Sequence, residues 1–175
     1  MQSTPKSYDT RIHEFERLVD RYLGFLSEKH GFARRETRAH DLNSPMDAGV
    51  SISFEREDLR VSIDLGLAGA SGLGLMIRDN QWHTRPAPED GSRPVKVVYF
   101  ESLVEYMTDG AESPLVPHHG QAPAREVRAA VRRVEEDLAS VVEQLAAKLA
   151  KHAPQVLHPD ITTRFAAAAD HYERR

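Results

Sequence analysis

Strict alternation of apolar and polar residues on both sides of a short charged turn is the feature that most constrains this fold. Between positions 50 and 65, interrupted only by the turn at 56–58, the apolar members are Val50, Ile52, Phe54, Leu59, Val61, Ile63 and Leu65. A period of two places apolar side chains on one face of a β-strand and polar side chains on the other. The sequence therefore predicts an antiparallel hairpin with one buried face and one polar face.

A third alternating segment follows a glycine-rich link, and its apolar positions are Leu73, Leu75 and Ile77. We therefore predict a three-stranded meander. The β-branched and aromatic segment 95–100 predicts a fourth strand, although the same residues are also compatible with the start of the short helix predicted over 102–107. The segment 32–45 shows neither period and stays unassigned.

Helical periodicity flanks the strands on both sides. Apolar residues at spacings of three and four predict an amphipathic helix over 9–30, ended by Gly31, and a long helix over 124–152, ended by Pro154. A terminal helix is predicted to begin at Asp160. These helices supply the apolar cover that one face of the sheet requires.

The order of elements predicts an α+β fold, in which an antiparallel meander of three or four strands is covered by the N-terminal helix, the long helix and the terminal helix. At 175 residues, we predict a single domain over 9–175 preceded by a disordered tail at 1–8. The chain contains no cysteine, no apolar stretch of membrane-spanning length and no signal-peptide pattern. We therefore expect a cytoplasmic protein that does not enter a membrane.

The residue types that often act in catalysis or bind cofactors do not form a catalytic or cofactor motif in this sequence. The glycines between 66 and 74 connect a strand to a strand, whereas a phosphate-binding loop leads from a strand into a helix. Nine histidines raise the question of a metal site, but no His-x-x-x-His or Glu-x-x-His spacing occurs. We predict no catalytic residue, no cofactor and no bound metal, and we favour a protein that is not an enzyme.

Two loops and the polar face of the sheet contain the residues that we predict to contact a partner. Loop aromatic residues are frequent interface anchors, although Trp82 in the proline-rich loop 79–94 is also compatible with packing over the core. A second loop is predicted over 108–123. The candidate partner-binding residues are Trp82, His83, His118, His119, Arg60, Asp64 and Arg78.

The apolar seam of the predicted helix 124–152 has two interpretations. Its near-heptad spacing is compatible with pairing against a second copy of the chain, which predicts a possible homodimer. The alternative is that the seam packs on the sheet of its own domain.

Charge argues against a dedicated nucleic-acid binder. The formal net charge is −4, and 23 basic and 27 acidic residues are mixed along the chain. Nucleic-acid affinity comes mostly from concentrated positive charge. A weakly acidic balance is compatible with masking a basic protein partner.

Several short sequence segments, taken together with this pattern, resemble a known group of proteins. The opening helix ends in Lys29-His30-Gly31-Phe32, the strands read Val-x-Ile-x-Phe and Val-x-Ile-x-Leu, and the late helix closes in Leu-Ala-Lys-His-Ala-Pro-x-Val-Leu. This resembles small uncharacterised bacterial α+β proteins, some of which look like immunity proteins of polymorphic toxin systems. The resemblance implies a protein partner and an immunity-like inhibitor of a cognate bacterial protein, and it carries over no site residues.

Two other functions stay open. A dimeric chaperone of a secreted effector is also expected to be a small acidic α/β protein with a helix before its sheet. A small hydrolase or metal-dependent enzyme would use the loop histidines.

Overall fold

The computed structural model describes residues 8–44, 47–67, 72–86, 94–117 and 122–173. The helices are α1 (Tyr8–Leu23), α2 (Phe25–His30), α3 (Phe100–Met107), α4 (Ala124–Glu136), α5 (Leu138–Val156) and α6 (Phe165–Glu173). The strands are β1 (Ala33–Arg34), β2 (Arg38–His40), β3 (Gly49–Glu55), β4 (Leu59–Gly66), β5 (Leu73–Asp79) and β6 (Val97–Tyr99). The predicted α+β class is confirmed.

All six strands belong to one antiparallel sheet. Its order is β1-β3-β4-β5-β6. β2 lies on the same edge of β3 as β1: β1 pairs with residues 54–55 of β3, and β2 pairs with residues 49–51. The meander predicted from alternation is β3, β4 and β5, with Ile52 opposite Ile63 and Ile63 opposite Leu75. Of the segment 95–100, residues 97–99 form the fourth strand and Phe100 already begins α3.

The core lies between the inner face of the sheet and the helices. Every inward-facing apolar residue of β3, β4 and β5 is at most 2% exposed. Opposite them pack Phe15, Leu23, Leu145, Leu149 and Phe165. The helices therefore cover one face of the sheet, as the amphipathic patterns predict.

The predicted N-terminal helix is interrupted at Gly24, where α1 gives way to α2. A Cβ atom at this position would lie 2.8 Å from the main-chain oxygen of Asp20, so the close approach requires glycine. The predicted end at Gly31 is confirmed, because Gly31 adopts a left-handed conformation with φ of 71°.

The prediction of one helix over 124–152 is wrong. Asp137 leaves the helical conformation, with φ of −145° and ψ of 63°, and its side chain accepts a hydrogen bond of 3.1 Å from the Ser140 N–H. An aspartate that caps a new helix thus separates α4 from α5, while the apolar spacing continues across the break.

Pro154 does not end the helix either. It lies inside α5, which continues for two more residues to Val156. The last turn of α5 therefore accommodates the proline ring and the lost N–H donor. After α5, a short 3₁₀ turn over Pro159–Arg164 precedes α6, so the terminal α-helix begins at Phe165 rather than Asp160.

The seam of α5 packs within its own domain. Its members Val141, Leu145 and Leu149 are at most 1% exposed and belong to the hydrophobic core. This part of the predicted helix is therefore not available to a second copy. A homodimer through other surfaces of 124–152 stays a prediction.

Candidate partner-binding surface

The outer face of the sheet is the face that points away from the core. Its residues alternate with the core residues and stay half-buried, which is the pattern of an antiparallel sheet with one solvated side. On β3, β4 and β5 they are Ser51, Ser53, Glu55, Arg60, Ser62, Asp64, Gly74, Met76 and Arg78.

Strand register arranges these residues in rows across the sheet. One row runs Glu55, Arg60, Arg78 and Val97, from β3 to β6. The two neighbouring rows are Ser53, Ser62, Met76 and Tyr99, and then Ser51, Asp64 and Gly74. The charged row therefore lies directly beside the row that contains Ser53 and Ser62.

Glu55 is shared by two arginines. Its carboxylate accepts a hydrogen bond of 2.7 Å from Arg60 Nη2 and another of 2.7 Å from Arg35 Nε. The bond from Arg60 is the largest cause that holds the pKa of Glu55 below its ordinary value; Arg35 acts in the same direction and burial opposes both. Glu55 is thus a carboxylate at neutral pH and neutralises only part of the local positive charge.

A continuous depression, which we call the arginine groove, crosses the outer face at this row. It consists of two adjoining hollows of about 620 and 520 Å³ that share Arg35, Glu55 and Arg60. Six arginines line it: Arg34, Arg35, Arg38, Arg56, Arg60 and Arg78. Only three glutamates do so: Glu36, Glu55 and Glu57. Asp20 and Asp58 also form ion pairs with Arg34 and Arg56. The excess of positive charge in the groove is therefore small, and it includes Arg78, which has no acidic partner among the described residues.

Trp82 lies at the end of the arginine groove, on a 3₁₀ turn over Trp82–Thr84. The buried carboxylate of Asp79 holds this turn, because it accepts a hydrogen bond of 2.9 Å from the Gln81 N–H and pairs with the guanidinium of Arg85. Lys96 Nζ lies 4.9 Å from the centre of the indole ring. Trp82 is half-buried and lies outside the hydrophobic core, and its neighbour His83 is exposed.

Asp64 lies in a different depression, at one end of the strands, where outer-face residues meet α4. This cleft, of about 600 Å³, is lined among others by His40, Tyr99 and Val131. Burial raises the pKa of Asp64 above its ordinary value, while a hydrogen bond with Ser51 and the charge of His40 act in the opposite direction. The acidic end of the outer face is thus separated from the arginine groove.

The structure brings together four of the seven residues predicted to contact a partner. Arg60, Arg78, Trp82 and His83 line one hollow, and Asp64 lies elsewhere on the outer face. His118 and His119 lie outside the described residues.

Sequence reasoning missed the arginines of the unassigned segment 32–45. Arg34 and Arg38 join the groove because β1 and β2 pair with β3. The run of basic residues was visible in the sequence, but strands of two and three residues are too short for alternation to reveal.

Two further features bear on the class of site. Within the described ranges, no three histidine, aspartate or glutamate side chains come together in an arrangement suited to a metal ion. None of the helices described has both the length and the apolar character needed to cross a membrane.

Comparison with models of protein families finds no match to this chain. A search of curated proteins and a search of solved structures likewise find no match.

Proposed function

We propose that this chain is a non-enzymatic protein-binding module that holds its partner on the outer face of the sheet, around the arginine groove. The supporting observation is that Arg60, Arg78, Trp82 and His83 line one hollow. Arginine and tryptophan are the residues most often responsible for binding energy at protein interfaces.

The rigidity of the surface supports the same proposal. Arg60 and Arg78 lie within paired strands, and the Trp82 turn is held through Asp79. A preformed surface loses little conformational entropy when a partner binds. An inhibitor that acts by association needs such a surface, and we propose an immunity-like role against a cognate bacterial protein on this ground and on the resemblance in sequence.

The product of the reading frame next to this gene is the partner to test. We expect it to form a stoichiometric complex with the full chain, measured by light scattering after size-exclusion chromatography. Hydroxyl-radical footprinting should then show protection of Met76, Trp82 and Tyr99 in the complex. Tyr22 on α1, which is also half-buried, is the control and should react equally with and without partner.

Two outcomes would contradict the proposal. Absence of a complex counts against an immunity-like role for this pair. A complex that protects Tyr22 and leaves the outer face unchanged would place binding on the helices and overturn the proposed surface.

A further inference from the structure

Two arginines face each other on neighbouring strands of the arginine groove. Arg60 on β4 and Arg78 on β5 are directly opposite in register, an arrangement that places Cβ atoms about 5 Å apart. Like charges at such a position destabilise a sheet. The ion pair of Arg60 with Glu55 offsets part of this cost, and Arg78 has no such contact among the described residues.

The pair is also incompletely neutralised. Arg60 shares Glu55 with Arg35, and Arg78 has no acidic partner among the residues that the structure describes. The Nε atoms of Arg60 and Arg78 are both closed off from solvent and lack a hydrogen-bond partner there. Because these two atoms are closed off from solvent, the terminal guanidinium nitrogens are the donors that an external ligand would reach.

We propose that the Arg60–Arg78 pair binds a carboxylate of an acidic protein segment. This inference rests on the proposed function and names the chemistry of the partner. A carboxylate between the two guanidiniums offers acceptor oxygens to both and removes their repulsion, because the planar fork of arginine matches a carboxylate in bidentate geometry.

Apolar surface continues directly from the pair. Val97 lies opposite Arg78 in the same row and is 42% exposed, and Tyr99 in the next row is 39% exposed. Trp82 lines the hollow that contains both arginines. The segment that fits this surface therefore carries apolar residues beside its acidic ones.

Charge distribution favours spaced carboxylates over a nucleic-acid backbone. Glu36, Glu55 and Glu57 are interspersed among the arginines of the groove. A phosphate backbone carries a negative charge at every nucleotide and is therefore repelled by acidic residues among the arginines, whereas a peptide can place its carboxylates beside the arginines alone.

The test measures binding of a fluorescein-labelled peptide of glutamate with interspersed phenylalanine to the full chain by fluorescence anisotropy. Loss of charge-assisted hydrogen bonds in Arg60→Gln/Arg78→Gln should weaken binding by about tenfold or more. Arg128→Gln/Arg132→Gln is the matched control, because it removes the same charge from exposed positions on α4 and should leave the Kd within about twofold.

Arg78→Gln alone guards against a folding artefact. It removes a like charge from beside Arg60 without breaking an ion pair among the described residues, so its Tm should equal or exceed that of the wild-type chain while peptide binding still weakens. Unchanged peptide binding in both groove variants would overturn the inference. Equal weakening in the α4 control, or tighter binding of oligothymidine than of the peptide, would also overturn it.

The neighbouring gene product distinguishes this inference from the proposed function. If it binds the wild-type chain and Arg78→Gln equally well, the carboxylate site is wrong and the binding module stands. If it does not bind the wild-type chain, the immunity-like role fails, and the peptide titration still decides the arginine pair.

Discussion

The guanidinium of Arg56 donates a hydrogen bond of 2.7 Å to the main-chain oxygen of Leu157, 101 positions later in the chain. The same side chain donates a bond of 3.0 Å to the His30 oxygen, forms two bonds with Asp58 and lies 4.6 Å from the centre of the Phe32 ring. Arg56 therefore ties the turn between β3 and β4 to the ends of α2 and α5. Arg56 also lines the arginine groove, so the same contacts hold the proposed binding surface in place.

Arg56→Lys should lower the free energy of unfolding by about 2 kcal/mol, because one ammonium cannot reproduce a bidentate pair and two carbonyl contacts at once. Urea unfolding followed by circular dichroism measures the change. The control is Arg35→Lys, since the Arg35 side chain is 56% exposed and forms one ion pair, and it should cost about 1 kcal/mol or less. Equal losses in the two variants would contradict the bracing role.

Glu101 on α3 holds the segment that follows it. Its carboxylate accepts hydrogen bonds of 2.5 and 3.0 Å from the N–H groups of Leu115 and Val116 and lies 3.3 Å from Lys148 Nζ. Glu101→Gln should lower the free energy of unfolding by about 3 kcal/mol, because it leaves the nearly buried Lys148 without its counter-charge. Urea unfolding measures this change.

A matched control and a double variant sharpen that prediction. Glu143→Gln removes the same charge from an exposed position on α5 and should cost about 0.5 kcal/mol or less. Glu101→Gln/Lys148→Met should be more stable than Glu101→Gln alone, because it removes the unpaired charge. If the stability loss in the double variant equals the sum of the losses in Glu101→Gln and Lys148→Met, the two side chains are not coupled.

The stability of the chain should depend on pH through Glu112. Hydrogen bonds from Lys151 and then His152 lower the pKa of Glu112 from 4.5 to about 2. A lowered folded-state pKa gives stability that is fully present above about 4.5 and is lost as pH falls toward about 2. The stability difference between wild type and Glu112→Gln should therefore shrink as pH falls from about 4.5 toward about 2.

Urea unfolding at a series of pH values measures this difference. A Glu112→Gln difference that does not shrink on acidification would show that the contacts with Lys151 and His152 do not persist in solution.

The break between α4 and α5 should depend on the cap of Asp137. Asp137→Ala removes the acceptor for the Ser140 N–H and should cost about 1 kcal/mol in thermal or urea unfolding. Asp137→Asn keeps a side-chain oxygen and should cost much less. Similar losses in both variants would indicate that charge near the helix start, rather than the capping bond, is what matters.

The periodicity of apolar residues alone predicted the elements whose structure depends on residues close together in the chain. Alternation identified β3, β4 and β5, since each strand has one buried face, and the glycine at position 31 correctly marked the end of the first helical region. It failed at Asp137, because spacings of three and four continue in phase from α4 into α5. A capping aspartate at 137 was the available signal, and the apolar pattern outweighed it.

The sequence by itself determined which side chains of the meander face inward and which face outward, because the period of a strand leaves no other choice once one face is apolar. The outward positions of Arg60, Asp64 and Arg78 thus follow from alternation alone. Only the tertiary structure decided their surroundings. Arg34 and Arg38 reach the outer face through pairing of very short strands with β3, and Asp64 falls into a separate cleft. Those contacts join segments distant in the chain, and no local periodicity encodes them.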